Sequence, residues 1–266
     1  MDRTIKLVVT DLDGTLLDTR KKIPDGFFDA IRKLRAHGIR MVIASGRQYH
    51  NVMKLFAPVR ESIDVIAENG GLAFFDGRRL FANTLSKQDI DAVLQVAAKV
   101  PTAWPLLCGA QGAYALTGPE VFKSSIVLYY ERREVSPAAY EHAAQDAICK
   151  IAIFDEKDAS LVYPSFEHLS NRLHLTLSGL HWLDFMNLDA DKGVGLKAIQ
   201  EHLGIGPEET MGFGDYDNDA GMLERCGESY AMANAVDRVK AVCRHQAPSN
   251  DDDGVMTILR REFDFL

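Results

Sequence analysis

Apolar and polar positions alternate along this chain in two rhythms. Residues 5–10, IKLVVT, form an apolar run of the kind that suits a parallel strand covered on both faces. Residues 25–37, DGFFDAIRKLRAH, set Phe27, Ile31 and Leu34 at helical spacing, and Gly38 offers the stop. A second strand follows at 39–45 (IRMVIAS), a helix at 47–56 closed by Pro58, and a third strand at 64–69 (DVIAEN) before Gly70 and Gly71. This strand–helix–strand order predicts an α/β fold, a doubly wound, Rossmann-like parallel sheet with right-handed crossovers.

The rhythm then changes. Asp76-Gly77 between two apolar runs signals a hairpin. Ser86, with Asp89 three residues on, heads an amphipathic helix, SKQDIDAVLQVAAKV. Short strands are expected at PLLCGA, GAYAL, SSIVLYY and KIAIFDE, with a helix at SPAAYEHAAQDAI. LHLTLSG and WLDFMNL read as antiparallel strands joined through Gly179. From Lys192 the first rhythm returns: helix KGVGLKAIQEHLG, strand TMGFGD, helix NDAGMLERCG, strand SYAMANA, helix VDRVKAVCRHQ. The expectation is a core of residues 1–82 and 188–266, interrupted by an inserted α+β domain at 83–187. The acid run Asp251-Asp252-Asp253 reads as a solvated turn.

Composition narrows the partners. The 266 residues are 47% hydrophobic and 26% charged, an ordinary globular profile, with a formal charge of −8. No basic run suggests nucleic acid. No apolar stretch approaches the roughly 18–20 residues that span a bilayer, and the apolar segment in MDRTIKLVV is too short for a signal peptide. Cys108, Cys149, Cys226 and Cys243 form no CxxC pair, which argues against zinc and for reduced, mostly buried thiols in a cytoplasmic setting.

Ligands of an open parallel sheet gather beyond the carboxyl ends of its strands. Those ends carry Asp11 and Asp13; Ser45, Gly46 and Arg47; Glu68, Asn69 and Gly70; and Asp215, Asp217, Asn218 and Asp219, with Lys192 opening a helix nearby. Carboxylates crowded in one crevice repel unless a cation sits among them, and hard oxygen ligands suit Mg²⁺. A lysine and a serine hydroxyl suit a phosphoryl group. Asp11, at the strand tip, is placed to attack phosphorus, and Asp13 to give and take the proton. Gly14 lets the chain turn at once.

The motifs resemble those of the haloacid dehalogenase-like superfamily: DLDGTLL at 11–17, ASGR at 44–47, Lys192 in DKGVGL, and GDYDND at 214–219. AENGG (67–71) and SNDDDGV (249–255) are similar to the Cof-like, class IIB subgroup of capped phosphatases. The resemblance implies Asp11 as nucleophile and Mg²⁺ ligand, and Asp13 as acid/base with its carbonyl on the metal. It implies Ser45 and Lys192 as phosphoryl-holding residues, and Asp215 and Asp219 as metal ligands, Asp219 directly or through water. Gly46, Arg47, Asn69 and Asn218 are the expected substrate-binding positions. Arg47 is equally suited to an ion pair with Glu68, and Asn69 to capping its turn. Tyr216 stands where glycine is common. The inserted cap would select the substrate. His174 and His181 read as strand-surface or core residues, and Trp104, Tyr129, Tyr130 and Trp182 as cap core.

The leading expectation is a Mg²⁺-dependent phosphatase acting on small phosphorylated metabolites, sugar phosphates first. A sugar phosphomutase is the enzymatic alternative. A phospho-acceptor signalling module, with its own acid cluster, Ser/Thr and Lys, is the alternative from another class.

Overall fold

A computed structural model describes residues 4–266. The strands are β1 Leu7–Asp11, β2 Arg40–Ala44, β3 Ile63–Ala67, β4 Leu72–Phe75, β5 Arg78–Ala82, β6 Trp104–Gly109, β7 Ala113–Ala115, β8 Arg133–Val135, β9 Ile148–Phe154, β10 Leu173–Leu177, β11 Trp182–Asn187, β12 Thr210–Gly214, β13 Glu228–Met232 and β14 His245–Ala247. The α-helices are α1 Phe27–Ala36, α2 Tyr49–Leu55, α3 Lys87–Ala97, α4 Glu120–Tyr129, α5 Ala139–Ala143, α6 Tyr163–Phe166, α7 Lys192–Leu203, α8 Ala220–Leu223, α9 Asp237–Val242 and α10 Gly254–Glu262. The chain parts into two compact units. One holds residues 4–46, 52–81 and 191–266, and the other 47–51 with 82–190.

The first unit is built on an eight-stranded sheet in the order β14-β13-β12-β1-β2-β3-β4-β5. Pairings from β14 to β3 are parallel, and β4 returns antiparallel to β3. All five residues of β1 are buried, as are Met41 to Ala44 of β2 and the whole of β3, which is why these segments read as near-continuous apolar runs. Helix α1 packs on β2, α7 on β3 and β4, and α8 on β12. Each fully buried aliphatic side chain here contributes about 1.5–3 kcal/mol.

The second unit carries a six-stranded sheet in the order β10-β11-β9-β6-β7-β8, antiparallel except for the β7–β8 pair. Strands β10 and β11 pair from Leu173↔Asn187 to Leu177↔Leu183, the expected hairpin. One sheet face packs Leu107, Ile151, Ile153, Leu183 and Phe185 with Val93 of α3 and Ala139 of α5. Ser86 caps α3 by accepting the Asp89 N–H, as its spacing suggested.

Five expectations need correction. SSIVLYY is not a strand but the end of α4: Phe122, Ile126 and Tyr130, four residues apart, are buried against the other sheet face, while Val127, Leu128 and Tyr129 are exposed. A strand would have alternated along that run; the period is helical. Tyr129 is therefore surface rather than cap core, whereas Tyr130 and Trp182 are buried. The helices expected at SPAAYEHAAQDAI and NDAGMLERCG shrink to the five residues of α5 and the four of α8. In the second case Asp219 spends its carboxylate on the preceding loop, so the segment opens as a 3₁₀ turn at Asp217–Asp219. The helix VDRVKAVCRHQ stops at Val242, and His245–Ala247 joins the sheet edge as β14, too short and polar to read as a strand. The four cysteines are free thiols, Cys243 half-buried and the others buried. Among the described residues no helix is long and apolar enough to cross a membrane.

Candidate active site

The register of the parallel sheet places the candidate residues. Asp11, the last residue of β1, lies beside Ala44 of β2, while Thr10 lies beside Phe213 of β12. Ser45 and Asp215 therefore leave the sheet on either side of Asp11. Gly14 has φ +89°, and a side chain there would run into the Asp215 carboxylate, so the turn after Asp13 requires glycine. Thr15 Oγ1 donates to Asp215 Oδ1 at 2.7 Å.

Lys192 enters from α7. Asp191 caps that helix by accepting the Val194 N–H, which makes Lys192 its first residue and buries it almost completely. Lys192 Nζ donates to Asp11 Oδ1 at 2.5 Å and to Asp219 Oδ1 at 2.6 Å. The second oxygen of Asp219 accepts the backbone N–H groups of Asp215 and Tyr216 at 2.9 and 3.0 Å. Asp219 thus anchors both Lys192 and the loop carrying Asp215, and carboxylate oxygens of Asp11, Asp215 and Asp219 lie within 4.8 Å of one another.

Burial pushes the Asp11 carboxyl up to about 8; Lys192 opposes that shift, and Asp219 and Asp215 add to it. Asp215 is raised as well, first by burial, against the Thr15 hydrogen bond. Burial alone would depress Lys192, but Asp11 and Asp219 hold it above the ordinary lysine range. Three carboxylates against one ammonium leave two negative charges when all are ionised. That surplus, presented by oxygen donors alone, fits one divalent cation of the Mg²⁺ type.

Ser45 is buried; its N–H donates to the Ile66 carbonyl and its carbonyl accepts the Asn69 N–H, which ties the ends of β2 and β3 together. Glu68, Asn69 and Gly70 all have φ between +50° and +91°, and at Gly70 a side chain would collide with the Asp191 carbonyl. This turn therefore packs against the capped start of α7. Asn218 Nδ2 donates to Asn69 Oδ1 at 3.0 Å, and Gly46 lies against the Asn69 side chain, so three expected substrate-binding positions adjoin. Arg47 falls in the segment that groups with the second unit. Asp13 is half-buried, with Oδ1 accepting from Lys21 Nζ at 2.9 Å. Tyr216 is exposed. Sequence reasoning passed over Thr15, Asp191, Lys21, and Asn234, whose Nδ2 donates to the Gly14 carbonyl at 2.8 Å. The first two lie inside the quoted motifs DLDGTLL and DKGVGL, which was a usable signal; the other two are joined to the site only by tertiary contacts.

The family model for haloacid dehalogenase-like hydrolases matches residues 8–259. Among curated relatives, the 5-amino-6-(5-phospho-D-ribitylamino)uracil phosphatase YbjI of Escherichia coli (strain K12) is 30% identical over 260 residues, spanning 96% of this chain and 95% of that protein. The solved structure of TM0651 from Thermotoga maritima is 25% identical with a TM-score of 0.84, covering 97% of each chain. The solved sugar phosphatase BT4131 of HAD subclass IIB has a TM-score of 0.77 over 98% of this chain and 100% of that one; at 22% identity this likeness speaks for the fold alone.

Proposed function

The chain belongs to the haloacid dehalogenase-like hydrolases, with the fold of a subclass IIB member, and we propose that it is a Mg²⁺-dependent phosphatase of small phosphorylated metabolites, sugar or sugar-alcohol phosphates first. The observation that carries this reading is the pairing of a buried strand-end carboxylate, Asp11, with a buried ammonium, Lys192, inside a cluster of three carboxylates that carries surplus negative charge when all are ionised. A cation that offsets that charge allows a phosphate dianion to enter.

Asp11 and Asp215 would hold the Mg²⁺, Asp13 through its backbone carbonyl, and Asp219 directly or through water. When bound, the ion neutralises charge on the transferring group. An Asp11 oxygen attacks phosphorus, the P–O ester bond breaks, and Asp13 donates its proton to the leaving oxygen. Water then attacks the same phosphorus, its proton passes to Asp13, and the Asp11 carboxylate departs. Lys192 and Ser45 hold the phosphoryl oxygens throughout. Gly46, Asn69 and Asn218 hold the ester.

The name of the YbjI protein specifies a phosphorylated ribityl chain, which supports an ester on a polyol carbon. The test is phosphate release from a panel of sugar, sugar-alcohol and nucleotide monophosphates with Mg²⁺. Release from sugar or sugar-alcohol phosphates is expected; isomerised sugar phosphate without release would make the chain a mutase, and a phosphorylated form stable for many minutes would make it a signalling module.

A further inference from the structure

We infer that Lys21 is a positioning residue for Asp13, held in place by the acidic turn at residues 249–253. The inference rests on the phosphatase reading above, in which Asp13 handles the proton in both half-reactions.

Lys21 Nζ donates to Asp13 Oδ1 at 2.9 Å across eight residues of chain. Both side chains keep access to water, 62% and 36% exposed, so the pair contributes little to stability. Lys21 nevertheless has φ 63°, in the left-handed region that a lysine adopts only under constraint. The constraint is visible. Asp18 Oδ1 accepts the N–H groups of Arg20 and Lys22, and the Asp18 carbonyl accepts the Lys21 N–H. Of the two lysines on this loop, Lys22 pairs with Asp25 and Lys21 with Asp13.

The loop is pinned a second time from the far end of the chain. Asp251 Oδ1 accepts the Thr19 N–H, Asn250 Nδ2 donates to the Leu17 carbonyl, and Asn234 Nδ2 donates to the Gly14 carbonyl. Asn234 in turn accepts the Asn250 N–H. Three points of the segment 14–19 are thus fixed by two stretches more than 200 residues away. The three aspartates of SNDDDGV are exposed, but Asn250 beside them is buried, so the segment is more than a solvated turn. It sets the path of the loop that brings Lys21 to Asp13.

An ammonium on Oδ1 fixes the plane of the Asp13 carboxylate and directs which oxygen handles the proton. Proton transfer to a leaving oxygen depends on such alignment, and small misplacement is costly in rate.

The test is a double-mutant cycle on phosphate release with saturating Mg²⁺. Lys21→Met, which keeps the stem and removes the donor, should lower kcat about tenfold and change KM less than about twofold. Lys21→Arg should restore most of the rate. In an Asp13→Asn background, Lys21→Met should have almost no further effect. Asp251→Ala should lower kcat in the same direction, by less. Thermal unfolding of Lys21→Met should match the parent. A tenfold loss that persists beside Asp13→Asn, a rise in KM at constant kcat, a large loss of thermal stability, or an unchanged rate would each overturn the inference alone. If the parent hydrolyses no phosphate monoester, or Asp13→Asn keeps the full rate, the phosphatase reading falls and the inference with it.

Discussion

At Asp11 burial and charge act against each other. The side chain is 4% exposed, and its ionised form is tolerable because Lys192 faces it and, in the proposed function, a cation joins it. Asp11→Asn keeps the shape and removes the charge. Turnover should fall at least about a thousandfold, while stability without metal stays level or rises. Steady-state assays beside thermal unfolding check both halves; a variant that retains its rate would remove Asp11 from the chemistry. Lys192→Met acts in the opposite sense. It leaves Asp11 and Asp219 without their buried partner and should destabilise the metal-free protein by about 3–5 kcal/mol, part of it recovered with Mg²⁺. Urea titrations with and without the ion test this, and an unchanged midpoint would contradict it.

Elements place these residues, and their legibility differs for physical reasons. Asp11, Ser45 and Asp215 could be read at strand ends because a parallel sheet aligns its carboxyl edges whatever the connecting loops do. Helix α4 could not, because SSIVLYY is apolar on consecutive positions and its period emerges only once Phe122 is included. Lys21 and Asn234 were equally hidden, since their partners Asp13 and Gly14 come from tertiary packing. The turn Glu68–Gly70 shows how closely elements are coupled. Gly70→Ala should cost more than about 2 kcal/mol, through its positive φ and its collision with Asp191, and should lower activity by shifting the start of α7. Chemical denaturation and assay together measure it.

A second element junction lies away from the cluster. Arg40, opening β2, bonds both oxygens of the buried Asp64 in β3 at 2.6 and 2.7 Å, and also Asp76 in the β4–β5 turn. The Asp76 N–H returns to Asp64. The Arg40 hydrogen bond holds the Asp76 carboxyl below its ordinary value. A carboxylate whose pKa is lowered by folding contributes stability above its unfolded value, near 3.8, and loses it as pH falls through the folded one. Arg40→Met should also destabilise the protein at pH 7 by about 3–5 kcal/mol, because it leaves the buried Asp64 side chain without its two-pronged partner. The difference from the parent should narrow below pH 4. Melting curves across pH test this, and a gap that widens in acid would contradict it.

Over the whole molecule, the two units divide by the chain's own logic: a mainly parallel sheet built from the two ends, and a mainly antiparallel sheet built from the middle. The sheet architecture was legible from the change of rhythm at the Asp76-Gly77 hairpin and its return at Lys192. With a formal charge of −8 and surplus carboxylate in the cluster, the protein should gain stability from a bound cation. Mg²⁺ at about a hundred times its dissociation constant adds about 2.7 kcal/mol by mass action. The melting temperature should rise accordingly, EDTA should abolish turnover, and Asp215→Asn should blunt both responses.

The claim on which the rest depends is that phosphate passes through Asp11. Asp13→Asn, slowed in the hydrolytic half, should accumulate the covalent form when mixed with a turned-over substrate and quenched in acid. Peptide mass spectrometry should then find one phosphoryl group on the segment that contains Asp11, lost when Asp11→Asn is added. A phosphoryl group on another residue, or substrate turnover with no covalent form at any quench time, would contradict the account.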